Sequence, residues 1–254
     1  MQGPSRLRMD RLLELTAQAE QSHFWFRGFR WFVRPEIARA VAGVARPRLL
    51  DCGCGTGANV RLLTEYGHAY GFDVTWSGLQ FARAAKEAVV RASLDAAPFP
   101  DGSFDVLTSF DVLQCVPDHI EQAGVVEFGR LLRPGGHLIV NVAALEILSG
   151  GHSALSHEYR RYTPSQLRLL IEGAGFRIER LTFVHAMLFP LILGVRLMQR
   201  ITSGNHVEPG EYEIATPPAP VNALLTGLVR AEASALRLVD MPFGSSLLCH
   251  AIKA

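Results

Sequence analysis

Neither sign of charge dominates this sequence. Its 25 lysines and arginines nearly balance 24 aspartates and glutamates, leaving a formal net charge of +1. A protein living on phosphate-backbone contacts would carry a basic surplus, so nucleic acid is not an expected partner. Cysteine is scarce. Cys52 and Cys54 lie in one loop, Cys115 and Cys249 stand alone, and no second Cys or His pair falls at zinc spacing. No metal is expected, and reduced thiols fit the cytoplasm. The opening MQGPSRLRMDRL has no apolar run after its arginines, which argues against an export signal. Long apolar runs are missing too. The greasiest stretch, VHAMLFPLILGV at 184–195, is twelve residues with His185 and Pro190 inside it, too few to span a bilayer. A core or lid helix is expected there, with at most peripheral membrane contact. There is no internal repeat and no low-complexity tract.

What is present is an alternation. RLLD (48–51), AYGFDV (69–74), VVRASL (89–94), FDVLTSF (104–110), HLIVNVAAL (137–145) and FRIERLTFV (176–184) read as strands, with helical patterns between them. Thr163 followed by Pro164 reads as an N-cap with proline at the first helical position. Strand and helix in alternation predict a doubly wound α/β fold around a parallel sheet. Residues 1–43 are expected to form a helical N-terminal cap, 44–185 the core, 186–243 a helical insertion, and 244–254 a last core strand. Within the insertion, the Pro/Gly-rich stretch 203–220 reads as a loop between two helices.

The chemistry concentrates at LLDCGCGTG, residues 49–57. A strand tip, a glycine turn and a helix start are where a doubly wound sheet binds a nucleotide. Two readings of the loop stay open. Gly53, Gly55 and Ala58 satisfy the dinucleotide pattern. Asp51, however, would repel a pyrophosphate and favours a cofactor that presents a cation. Asp73 at the second strand's tip suits a ribose diol in either case. Asp95, after the third strand, can accept from an exocyclic amine such as that of adenine. Acids at three strand tips suit a ligand with ammonium, ribose and adenine, as in S-adenosylmethionine.

The runs LLDCGCGTGANVRLL, GFDVT, DAAPFPDGSFDVLTSFDVLQCVPD and EFGRLLRPGGHLIV, with HEYRRYTPSQLRLLIEGAGF beyond them, carry a resemblance. The sequence resembles the class I S-adenosylmethionine-dependent methyltransferases of the type 11 group. That resemblance implies a Rossmann-like seven-stranded sheet with the last strand antiparallel, and a helical insertion between strands six and seven. It implies that Asp51, Gly53, Gly55 and Gly57 hold the methionine end, Asp73 with Val74 the ribose, and Asp95 with Ala96 the adenine, while Phe110 contributes backbone. Gln114 departs from the histidine common near that point. The motif HFWF-x-x-R and the two C-terminal runs resemble a bacterial subgroup that includes quinol- and lipid-related methylases.

Transfer from a sulfonium is an in-line displacement, so alignment and exclusion of water matter most. An oxygen nucleophile also benefits from a base. His152, His157, Tyr159 and Tyr162 sit where the fold places substrate, and His157 is the favoured base with Tyr162 as a second candidate. Arg160 and Arg161 either pair with acids or hold an anionic substrate group. The N-terminal aromatic knot is expected to cap the cofactor, with Arg27 reaching its carboxylate. Glu232 falls inside the apolar stripe of 222–239. It is expected either to pair with Arg27, Arg30 or Arg196 or to face the acceptor. The function expected is methylation of a small, apolar, lipid-like or aromatic acceptor, through oxygen in preference to carbon or nitrogen. The alternatives are an RNA or protein methyltransferase, a non-catalytic cofactor-binding module and an NAD-dependent oxidoreductase.

Overall fold

The computed structural model describes residues 4–149, 158–203 and 216–254. Seven strands build one sheet: β1 (Arg48–Cys52), β2 (His68–Asp73), β3 (Val89–Arg91), β4 (Phe104–Phe110), β5 (Leu132–Ala143), β6 (Phe176–Val184) and β7 (Ser246–Lys253). Their order is β3-β2-β1-β4-β5-β7-β6. β1 to β5 pair in parallel, and β7 runs antiparallel between β5 and β6. The order reverses between β1 and β4, and a crevice opens beyond the carboxyl ends of strands at such a point.

Period-two alternation sends neighbouring residues into two core layers. Leu49, Val106 and Ile139 face one side, where Val33 and Ile37 of the N-terminal region and Val229 of the insertion cover them. Leu50, Leu107, Leu138 and Val140 face the other, against Phe128 and Ile171. Every residue of β4 is buried, as a strand covered on both faces requires.

The helices are α1 (Pro4–Ala19), α2 (Phe24–Ala40), α3 (Ala58–Thr64), α4 (Trp76–Ala84), α5 (Asp118–Leu131), α6 (Pro164–Gly173), α7 (Phe189–Ser203) and α8 (Ala219–Ala235). α7 and α8 form the insertion between β6 and β7. α2 and α8 press together at Gly28, where an added Cβ would lie 2.2 Å from Val229 Cγ1. The expected cap of α6 is present: Gln166 N–H donates to Thr163 Oγ1, and Thr163 N–H donates to the Gln166 side chain.

Two boundaries differ from expectation. β3 ends at Arg91, because Ser93 turns back to bridge Ala96. β5 begins at Leu132, five residues early. Leu132 pairs with Phe104 and His137 with Val106, so Pro134–Gly136 forms a bulge inside the strand where a connecting loop was expected.

Candidate functional site

The glycine loop follows β1 and bends at three positive φ values: +82° at Gly53, +49° at Gly55 and +84° at Gly57. Such angles favour glycine, and space enforces the choice. A Cβ on Gly53 would meet Val112 Cγ2 at 2.4 Å, and one on Gly57 would meet Ala82 Cβ at 2.7 Å.

Asp51 sits beneath this loop, buried. Thr108 on β4 donates its hydroxyl to Asp51 Oδ1 at 2.7 Å. Asp51 Oδ2 is buried and receives no hydrogen bond among the described residues. Burial, opposed by the Thr108 bond and reinforced by the charge of Asp73, lifts the carboxyl to about 7. Such a group is completed by a cation. Asp73, at the end of β2, accepts from Gly55 N–H at 2.8 Å and Thr75 N–H at 2.7 Å. It ties the loop to the neighbouring strand, and each oxygen keeps lone-pair capacity for a diol. Val74 and Trp76 stand exposed just beyond it. Asp95 and Ala96 are exposed after β3, with the Ser93 hydroxyl on the Asp95 carboxylate. Phe110 ends β4 and meets Phe29 of α2 edge to face at 4.9 Å. The structure thus brings together the acids, glycines and Phe110 singled out in the sequence.

The N-terminal region does lie over this loop. Leu13 of α1 comes within 3.5 Å of where a Gly55 Cβ would stand. Thr56 in the loop donates its hydroxyl to Glu20. Arg30 is the arginine tied to this latch, donating to the Glu20 carbonyl at 2.9 Å. Arg27 lies instead over the Trp31 ring, 6.0 Å from its centroid.

The catalytic expectations fare differently. His152 and His157 fall outside the described residues. Tyr162 is corrected: a bridge to Ala144 turns it into the core, where its hydroxyl donates to Glu121. Burial and that carboxylate push its phenol well above the ordinary range, so it is a structural group. Glu232 is corrected as well. It is fully buried, and its hydrogen-bond partners among the described residues are backbone groups, not arginines. Its carboxylate accepts the backbone N–H groups of Ala186, at 2.9 Å, and Met187, at 3.0 Å, ahead of α7. Arg160 and Arg161 both pair with acids: Arg160 with Asp118 and Glu121, Arg161 with Glu158.

Sequence reasoning missed Asp111, Asn141 and Glu20. Asp111 follows Phe110 with φ +60° and accepts from Asn141 Nδ2 at 2.9 Å and Gln114 Nε2 at 3.3 Å. Gln114 Oε1 and Asn141 Oδ1 are buried without partners among the described residues. A carboxylate directly following a wholly buried strand was the available signal.

These residues fit S-adenosylmethionine. Asp51 lacks a cationic partner among the described residues, Asp73 ends β2, Asp95 follows β3, and Gly53 and Gly57 keep the loop free of side chains. Comparison with known proteins agrees. Residues 50–140 match the family model of the Methyltransferase domain. The ubiquinone biosynthesis O-methyltransferase of Nitrosococcus oceani is 31% identical over 174 residues, covering 60% of this chain and 73% of that one. The malonyl-[acyl-carrier protein] O-methyltransferase of Herminiimonas arsenicoxydans is 28% identical, over 72% of this chain and 75% of its own length. Among solved structures, the complex of the Haloferax volcanii Trm112 methyltransferase activator with a methyltransferase holds a chain of the same fold. Its TM-score is 0.62 at 19% identity, covering 97% of this chain and 96% of that one. Relatedness of this depth places the chain within the class I methyltransferases of the type 11 group, and its activity is S-adenosylmethionine-dependent methyl transfer.

Proposed function

We propose that the chain methylates a hydroxyl of a small, apolar acceptor, aromatic or lipid-like, in the cytoplasm or at its boundary. The observation that carries this reading is the contact of Phe29 with Phe110. It sets the aromatic face of α2 at the tip of β4, beside the glycine loop, so an acceptor brought to that tip would meet an apolar surface. Relatives named for ubiquinone and malonyl-[acyl-carrier protein] O-methylation support oxygen as the methylated atom.

S-adenosylmethionine, when bound, supplies an activated sulfonium methyl. The chain supplies position. Asp51 pairs with the ammonium, Asp73 with the ribose hydroxyls, and Asp95 with the adenine amine. α1, latched through Glu20 and Thr56, covers the cofactor and excludes water. The acceptor's proton goes to His157. Asp111, exposed at the β4 tip and braced by Asn141 and Gln114, is a carboxylate that can orient the acceptor hydroxyl.

The test is a methylation assay with an alkyl-substituted catechol, its matched aryl amine and S-adenosylmethionine. Mass spectrometry reads S-adenosylhomocysteine, and NMR reads the methylated atom. Methyl on the catechol oxygen is expected. Methyl found solely on nitrogen or carbon overturns the reading.

A further inference from the structure

Several buried side-chain atoms without a hydrogen-bond partner among the described residues share one edge of the sheet. Gln114 Oε1 lies just beyond β4 and Asn141 Oδ1 near the end of β5. Ser245 Oγ stands just before β7, and both ring nitrogens of His185 just after β6. β7 runs antiparallel to β5 and β6, so its start falls on the same edge as the ends of β4, β5 and β6. That edge also carries the glycine loop after β1.

His185 is the extreme case. It is 1% exposed, and neither nitrogen finds a donor or an acceptor. Its ring stacks on Trp25 of α2, with centroids 3.7 Å apart and planes 8° from parallel. Phe32 meets it edge to face at 5.0 Å. Its backbone takes φ +59°, uncommon for a residue with a side chain and frequent at ligand sites. Glu232 fixes the turn there by accepting the next two backbone N–H groups. A purely apolar side chain would fill this aromatic box with no orphaned nitrogen. Burial lowers the imidazole to about 3, so it stays neutral and is too weak a base to take the acceptor's proton. A neutral imidazole offers one N–H and one lone pair, the two complements of a hydroxyl.

Trp25, Phe29 and Phe32 are spaced four and three apart along one face of α2. Phe29 touches Phe110 at the β4 tip, so the aromatic face that meets that tip continues to His185. β5 and β7 stand between β4 and β6, which sets the two tips three strand spacings, roughly 14 Å, apart. That is the reach of a molecule two aromatic rings long.

We propose that His185 binds the far end of the acceptor. Its imidazole holds a hydroxyl remote from the one that is methylated, on an aromatic acceptor lying along the sheet edge from β4 to β6. This role rests on the function proposed above, and it makes the acceptor an extended molecule, polar at both ends and apolar between.

The experiment is calorimetry on the full chain saturated with S-adenosylhomocysteine. It compares 4,4'-dihydroxybiphenyl with 4-hydroxybiphenyl, which lacks the far hydroxyl. No methyl is transferred, so failure here leaves the oxygen-methylation assay standing, and failure of that assay leaves this measurement standing. The wild-type chain is expected to bind the diol roughly tenfold more tightly, because the phenol leaves the imidazole unpaired. In His185→Phe the diol should weaken to within about twofold of the phenol, with binding of the phenol and of S-adenosylhomocysteine held within about twofold. Imidazole 15N NMR on the wild-type chain reads the same contact and serves if the substitution disturbs folding. A histidine ring nitrogen should shift with the diol and not with the phenol. Equal wild-type affinity for the two probes, affinity for neither, a preference that survives His185→Phe, or no ring-nitrogen shift specific to the diol overturns the proposal.

Discussion

Asp51 and Glu232 are both buried carboxylates, and the structure treats them in opposite ways. Glu232 has both oxygens occupied by backbone N–H groups, from Ala186 and Met187. Asp51 has one oxygen on the Thr108 hydroxyl and the other without a partner among the described residues. Burial raises both above the usual carboxylate range. The difference lies in who completes the group. A buried acid with every lone pair aimed at its own chain holds the fold together. A buried acid left short of partners costs stability until a ligand arrives, and that cost is the signature of a binding site. The glycine-loop end of this molecule is built in the second way, the junction of α7 and α8 in the first.

The largest effect expected from this contrast is on stability. Glu232→Ala strips the buried Ala186 N–H and the half-buried Met187 N–H of their acceptor, at about 2–4 kcal/mol in total. For a chain of this size that lowers Tm by roughly 5–15 °C. Calorimetry should find S-adenosylhomocysteine affinity in the folded fraction unchanged within about twofold. An unaltered Tm would make Glu232 a site residue after all and erase the distinction. Asp51→Asn is expected to do the reverse. The amide oxygen still accepts from Thr108, and the buried charge is gone, so Tm holds or rises. Cofactor affinity falls by roughly tenfold to a hundredfold, the worth of a charge-assisted bond. A variant with lowered Tm and intact affinity would make Asp51 structural.

The same contrast explains what the sequence could and could not disclose. The glycine-loop end was legible as a candidate site because its determinants are local. A buried strand ending in an acid, then glycines at positive φ, forms one continuous run, and Asp51, Gly53, Gly55 and Gly57 all lie within it. The Thr163–Pro164 cap is local in the same sense. Glu232 was legible only in part. Helical spacing identified a carboxylate on a buried face, but its partners lie 46 and 45 residues away along the chain and are backbone groups, which no residue pattern reveals. Arginines were the natural guess, and Arg27 went to Trp31 instead. Tyr162 was misplaced for a related reason. It borders the expected acceptor segment, but its bridge to Ala144 fixes which way the side chain turns, toward Glu121. The Pro-Gly-Gly run misled because turn residues also make bulges, and pairing with β4 decides between the two.

The smallest effect is a pH dependence, and it separates Asp51 from a permanently ionised acid. In the ligand-free chain its carboxyl titrates at about 7, raised by burial from an ordinary 3.8. A folded-state value above the unfolded one means the folded chain holds the extra proton between those limits. Asp51 therefore contributes less to stability as pH climbs toward 7. A cationic ligand reverses the preference, because it stabilises the ionised form and drives the proton off. S-adenosylmethionine should bind more tightly as pH rises from 5.5 toward 7, by at most about tenfold per unit, and level off above 7. At pH 6 binding should release close to one proton, and above pH 8 almost none. Titration calorimetry in two buffers of different ionisation enthalpy reads that proton directly. In Asp51→Asn both the slope and the proton should vanish, leaving weaker, flat binding. Equal enthalpies in both buffers at pH 6, with affinity constant from 5.5 to 8, would show Asp51 already ionised before the cofactor arrives. Its unpartnered oxygen would then need a cation other than the ligand to keep it charged.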